Sequence, residues 1–335
     1  MKTTDANDIH RHHGAAALRD AIDAGELDGA EGHIIPFPGR SRPFLLFKDI
    51  DLQASKDWLV RNFLGADEAS AFYGKPGDGK SVLAEDMALH IAAGREWYGR
   101  KVKQGAVVYV ALERKKLVER RAIAFRLEHG LTDLPFAIVG GVHDFRDPET
   151  AVRLAEIVRD VKAATGHPVV LIVIDTLSRV LCGGDENSPK DMGAIVHATS
   201  ILQERTGAHI MWVHHMPLEG AERMRGHGAL LGALDTTVHV ARGDTVRAAT
   251  VVKANDADEG EQIAFTLKSV VIGRDADQQE TTAPIVVPVE GAPRQPVKSS
   301  KLPKAAQTAL RALTEAILEQ ANLLQLQITS HQRSR

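Results

Sequence analysis

The chain has 335 residues, 41 Lys and Arg against 44 Asp and Glu, a formal net charge of -3, 44% hydrophobic and 25% charged residues. This is the composition of an ordinary soluble globular protein, and it excludes a surface coated in positive charge for nonspecific nucleic-acid binding, although a local basic channel stays open to it. One cysteine, Cys182, allows no internal disulfide; no apolar run approaches the ~20 residues of a membrane span, and the first residues lack the apolar stretch of a secretory signal, so the expected location is cytoplasmic, with no membrane partner.

In chain order, residues 1–42 are small and polar and read as a mobile N-terminal tail. His10, His12 and His13 lie there without carboxylate or cysteine partners at ligand spacing, and read as solvated rather than metal-binding. Order is expected to begin near Phe44-Leu45-Leu46-Phe47, a strand-like run, followed by a helix or turn over residues 52–60.

Gly74-Lys75-Pro76-Gly77-Asp78-Gly79-Lys80-Ser81 fits G-x-x-x-x-G-K-[ST], the phosphate-binding P-loop. Ala69, Ala71, Phe72 and Tyr73 predict a buried strand before it, and Val82, Leu83, Met87, Leu89 and Ile91 predict a helix after it, stopped by Gly94. Strand, glycine loop and helix is the context the motif needs. The glycines turn backbone N–H groups toward a phosphate, and the helix N-terminus favours negative charge. Lys80 can reach the β- and γ-phosphates, and the Ser81 hydroxyl can ligate Mg²⁺.

Ala106 to Leu112 predicts the next buried strand, with Glu113 at its C-terminal end, where ligands of open α/β sheets collect. A basic helix from Arg114 to about His129, a short strand over Phe136 to Val139 and a helix over Thr150 to Thr165 follow. Val169 to Ile174 is a continuous aliphatic run ending in Asp175, the Walker B pattern of a strand covered on both faces, whose aspartate positions Mg²⁺. A loop over residues 183–189 leads to a helix over Lys190 to Arg205. Ala208 to Val213 is another buried strand, ending in His214 and His215, and residues 217–227 form a loop carrying Arg223 and Arg225. Thr236 to Val240, Val246 to Lys253 and Ile263 to Ile272 predict antiparallel hairpins added to the sheet. The organisation expected is a tail over 1–42, an ATPase domain over 43–275, a linker over 276–302 rich in proline and charge, and a C-terminal helix with a frayed end over 303–335.

In Walker A, Glu113, Walker B and the His214-His215 pair together, the chain resembles the RecA-like hexameric ATPases, nearest to the RepA-type replicative helicases of plasmids and phages, over about residues 44–272. The resemblance implies an α/β RecA-like P-loop NTPase domain, a mainly parallel sheet flanked by helices with a β-rich C-terminal edge. It implies ATP and Mg²⁺ as ligands, a ring, as a hexamer, acting on single-stranded DNA, and replication proteins as partners. Many P-loop ATPases carry the catalytic glutamate directly after the Walker B aspartate; Thr176 stands there, and the resemblance moves that role to Glu113, which would activate the attacking water. It makes His214 the γ-phosphate sensor, with His215 the adjacent candidate, and Arg225 or Lys253 the cation that a neighbouring subunit contributes. No arginine of the same chain reads as standing beside the γ-phosphate. The DNA loops implied are 183–190, which is net acidic, and 217–227. Two other readings fit the same motifs: a KaiC-like regulatory ATPase acting on protein partners, and a slow, nucleotide-gated assembly factor.

Overall fold

Aliphatic runs of six or seven residues, too short for a core helix and bounded by glycine or polar turns, fold as strands because each can bury both of its faces. The computed structural model describes residues 46–47, 55–141, 143–216 and 228–289. The chain divides into two units, residues 1–55 and 56–335, and everything described below belongs to the second. The tail, Phe44 and Leu45 of the run there, the loop carrying Arg223 and Arg225, and the C-terminal helix lie outside the described residues.

The elements are β1 (Trp58–Val60), β2 (Leu64–Gly65), β3 (Ala69–Gly74), α1 (Lys80–Ala93), β4 (Ala106–Ala111), α2 (Lys115–His129), β5 (Phe136–Val139), α3 (Pro148–Thr165), β6 (Val169–Asp175), α4 (Leu177–Val180), α5 (Pro189–Thr206), β7 (His209–His215), α6 (Gly228–Ala233), β8 (Thr236–Arg242), β9 (Arg247–Ala254), β10 (Gln262–Arg274) and β11 (Glu280–Pro288). A nine-stranded sheet has the order β11-β10-β9-β8-β3-β7-β6-β4-β5. From β8 to β5 all neighbours are parallel; β9, β10 and β11 add antiparallel. The α/β class and the β-rich C-terminal edge are as the sequence predicts.

Two local expectations change, and one is extended. Residues 58–60, read as the end of a helix or turn, form β1, paired with β2. β8 forms the expected antiparallel hairpin with β9, and its other edge runs parallel to β3 and closes the parallel core. The segment read as linker begins instead with β11, which pairs along β10 from Phe265↔Pro288 to Arg274↔Glu280. Its short apolar run, Ile285-Val286-Val287, is enough: Ile285 and Val286 are buried there, and Ala283 and Ile285 pack with Ala124 of α2.

Because strand side chains alternate, the sheet has two cores. One is built by Phe72, Tyr109, Val173 and Val213 against Leu83, Met87 and Ile91 of α1 and Val118 of α2. The other is built by Val108, Ile172, Ile174 and Trp212 against Leu154 of α3 and Ile195 and Leu202 of α5. Helix ends follow their sequence signals. Asp147 and Ser188 cap α3 and α5, each followed by proline, and Gly94, Gly130, Gly166 and Gly207 close α1, α2, α3 and α5 in the left-handed region.

Candidate active site

The P-loop turns at the top of β3 and runs straight into α1. Gly79 takes φ 102, a conformation open to glycine, and a side chain there would meet the Arg247 side chain at 3.0 Å. At Gly74 the reason is space: a Cβ would sit 2.1 Å from the Val240 carbonyl oxygen of β8. The loop is braced internally, since the Asp78 carboxylate accepts from the Lys75 N–H at 2.7 Å. Lys80 is buried and its ammonium donates to the Lys75 carbonyl at 2.8 Å. Burial lowers the pKa of Lys80, while Asp78, Asp175 and Glu113 oppose the shift. A triphosphate in the loop would supply the negative charge that this ammonium lacks.

β4 and β6 are neighbours in register, Ala111 opposite Asp175. This brings Asp175, the last residue of β6, and Glu113, two residues past the end of β4, to one end of the sheet. Asp175 is buried, accepts from the Tyr109 hydroxyl at 2.8 Å and is hydrogen-bonded by Ser81. Burial raises its pKa, and the hydrogen bonds from Ser81 and Tyr109 hold it down. A buried carboxylate touching the P-loop hydroxyl suits a hard dication that takes its remaining oxygens from phosphate and water. Among the described residues no group of three or more His, Cys, Asp or Glu forms an all-protein metal cage. Ser81 and Asp175 are the residues that would hold Mg²⁺ if it binds here, where it would neutralise phosphate charge.

Glu113 is about a third exposed, and its Oε1 is the focus of three side chains. The Thr176 hydroxyl donates to it at 2.9 Å, Arg179 Nε stands at 3.5 Å, and His215 Nε2 at 4.0 Å. The cleft, about 290 Å³, is lined by Lys80, Ser81, Glu113, Asp175, Thr176 and His215 at the phosphate end. Leu117, Val118 and Arg121 of α2 and Leu267 and Pro284 of the β10–β11 hairpin line its other end.

His214, expected as the sensor, does not line this cleft. Along β7, Met211, Val213 and His215 share the α1 face, while Ile210 and Trp212 pack on the α3/α5 core, and His214 alternates with them. His214 is fully buried, and His215 is the histidine at the cleft. Lys253 sits on β9, where its ammonium donates to the carbonyls of Leu231, at 3.0 Å, and Leu234, closing the end of α6. It is not among the lining residues of its own chain's cleft. Arg225 lies outside the described residues.

Two arginines of the same chain line the cleft. These are Arg114 and Arg121, and Arg121, at the end away from the P-loop lysine, pairs with the buried Glu85 at 3.3 Å. Burial drives the Glu85 carboxyl well above the ordinary range, with Arg121 opposing. Arg247 packs on Gly79, and burial lowers its pKa. Sequence reasoning also missed Tyr109, Thr176 and Arg179. The signal for Tyr109 was available, because it carries the one hydroxyl of an otherwise aliphatic strand that ends just before Glu113. Thr176 and Arg179 gave none, since α4 is a single turn with no periodicity to read.

A family model described as an AAA domain matches residues 42–221, more than half of the chain. No curated protein matches it. No helix among the described residues is long and apolar enough to cross a membrane.

Proposed function

Because the chain belongs to the AAA domain family of P-loop ATPases, we propose that it hydrolyses ATP with Mg²⁺ to drive a ring of subunits along single-stranded DNA, as a RepA-like helicase or translocase. The observation that carries this reading is the placement of Asp175 at the end of β6 and of Glu113 just past the end of the adjacent β4, both lining the cleft at the P-loop. One carboxylate sits with the Ser81 hydroxyl, where a dication fits, and the other is left to handle a proton. That division of labour separates metal holding from water activation.

In this reading Lys80 and the P-loop N–H groups of Gly77 to Ser81 hold the β- and γ-phosphates. Mg²⁺, when bound, neutralises charge on the phosphate oxygens. Glu113 takes the proton of the attacking water. His215 stands within reach of Glu113 and reports loss of the γ-phosphate. The transition-state cation comes from a neighbouring subunit, with Arg225 and Lys253 as its candidates; Lys253 would have to leave the α6 carbonyls to serve. The DNA contacts are assigned to the loops after α4 and β7.

The test is ATP turnover with and without an oligo-dT strand, run beside a native mass measurement. Stimulation by the strand together with a closed oligomer supports the reading. Turnover that ignores DNA, in a protein that remains monomeric, removes the translocase and leaves an ATPase. Mixing Arg225→Ala or Lys253→Ala with Lys80→Ala then decides the trans cation: partial recovery is expected for the variant that removes it, and for neither if the cation is supplied in cis.

A further inference from the structure

The backbone and the side chain of Glu113 are positioned by different parts of the molecule. The backbone follows the sheet: the Leu112 N–H donates to the Asp175 carbonyl at 2.8 Å, extending the β4–β6 register to the residue before Glu113. The side chain is held by the segment after β6. The Thr176 hydroxyl, itself within 3.0 Å of the Ser178 hydroxyl, donates to Oε1 at 2.9 Å. Arg179 Nε approaches the same oxygen at 3.5 Å from α4. α4 is one turn of four residues, tied back by the Phe145 N–H donating to the Val180 carbonyl at 3.0 Å. It leads directly into the turn at Leu181 to Gly184 and the loop beyond.

The chemistry of that oxygen matters. A general base needs a free lone pair at the moment water attacks, and a carboxylate oxygen already accepting from a hydroxyl and facing a guanidinium is a weaker acceptor for a water proton. The arginine contact is a single approach rather than a bidentate clamp, and Arg179 is 63% exposed. Such a pair is screened by solvent and separates at low cost. The arrangement has the properties of a holding contact rather than of a rigid catalytic mount.

We infer that Thr176 and Arg179 are positioning residues that hold Glu113 in a resting orientation, and that movement of α4 releases the carboxylate for hydrolysis. The inference rests on the reading of Glu113 as the base. On release, Oε1 takes a proton from the water whose oxygen bonds to the γ-phosphorus, as the bond from that phosphorus to the leaving oxygen of ADP breaks. Phosphate leaves, and the proton returns to solvent. His215, at 4.0 Å on the cleft side, is left as the near neighbour of the freed carboxylate.

The test compares the parent with Arg179→Ala, Arg179→Lys, Thr176→Val and Thr176→Ser in steady-state ATP turnover, affinity for a non-hydrolysable ATP analogue, and thermal midpoint. Arg179→Ala should raise kcat by about two- to fivefold, the scale of an exposed ion pair, with KM, analogue affinity and midpoint unchanged. Arg179→Lys should fall between the two. Thr176→Val should raise kcat by about tenfold, the scale of a hydrogen bond to a charged group, and Thr176→Ser should restore the parent rate. The double variant Glu113→Gln with Arg179→Ala should be as inactive as Glu113→Gln alone, which shows that the gain passes through Glu113. Should Thr176→Val lower the midpoint, Arg179→Ala decides alone, because its side chain is exposed. If the parent turns over ATP and Arg179→Ala is no faster, or is slower, the holding contact is wrong while the ATPase reading stands. If the parent is silent and Arg179→Ala turns over, the holding contact is supported. If the parent and Arg179→Ala bind the analogue and neither hydrolyses ATP, both readings fall.

Discussion

The two faces of the central sheet carry different kinds of interior. Against α3 and α5 the core is aliphatic and aromatic, with Trp212 fully buried against Phe145 at 5.5 Å between ring centroids. Its polar members are few: they include the fully buried His214, and Thr199, whose hydroxyl donates back to the Ile195 carbonyl of its own helix at 2.8 Å. Against α1 and α2 the same sheet buries Lys80, Glu85, Asp86, Asp175 and His209. Each of these has a partner: Lys75 for Lys80, Arg121 for Glu85, Trp97 for Asp86, Tyr109 for Asp175, and Ser70 with Gly65 for His209. Burying charge costs stability unless it is paired. One face therefore supplies stability mainly through packing, and the other accepts a larger desolvation cost, part of which, at Lys80 and Asp175, lies at the phosphate loop. The difference teaches that the buried acids of this sheet are gathered on one side of a single layer.

The largest effects should break the polar face without unfolding the protein. Glu113→Gln keeps shape and removes a base, so kcat is expected to fall on the order of 10²-fold or more with analogue binding retained. Steady-state kinetics beside a binding titration checks it, and parental turnover would return Glu113 to an ordinary surface residue. On the apolar face the reverse is expected. Trp212→Ala should cost roughly 3–5 kcal/mol of stability, the scale of a large aromatic truncation, while the fraction that stays folded keeps the parental KM for ATP. Denaturant unfolding and kinetics on the same sample separate the two.

A smaller and sharper contrast lies within one strand. His214 and His215 are neighbours in sequence and sit on opposite faces. His215→Ala is expected to lower kcat by about tenfold, the scale of a lost hydrogen bond to a charged group. His214→Ala is expected to lower the thermal midpoint with kcat unchanged. The opposite pattern would return the sensor role to His214.

The smallest effect is a dependence on pH. Burial pushes the Asp86 carboxyl up to about 7 from an ordinary 3.8, against the hydrogen bond from Trp97 Nε1. Between those values the folded chain holds a proton that the unfolded chain lacks, so stability from this group is present at low pH and lost as pH rises through about 7. His209, lowered from 6.5 to about 4 by burial, works the other way: its contribution is complete above 6.5 and lost as pH falls through about 4. Asp86→Asn removes the first slope only. Its gain in thermal midpoint over the parent should be larger at about pH 8 than at about pH 5. Trp212→Ala, on the face without buried acids, should shift the midpoint equally at both.

Much of this was legible in the residues. The P-loop, the aliphatic run ending at Asp175 and the strand ending before Glu113 are local patterns, and local patterns fix element type because burial on both faces demands continuous apolar side chains. Helix stops at Gly94 and Gly207 and caps at Asp147 and Ser188 are equally local, since each satisfies backbone groups within its own turn. The assignment between His214 and His215 was also within reach, from the alternation of Met211, Val213 and His215 against Ile210 and Trp212.

What only the tertiary structure decided are the relations between segments distant in sequence. That β8 pairs parallel with β3, and that β11 belongs to the sheet rather than to a linker, depends on which edges remain unpaired once the core is formed. The contacts of Arg121 with Glu85, Arg247 with Gly79, and Thr176 and Arg179 with Glu113 join residues 36, 168, 63 and 66 positions apart. A hydrogen-bonding or charged side chain has no period that announces its partner. The packing of strands and helices on one another chooses it, and that packing is set by the apolar faces of the elements rather than by the polar residues themselves.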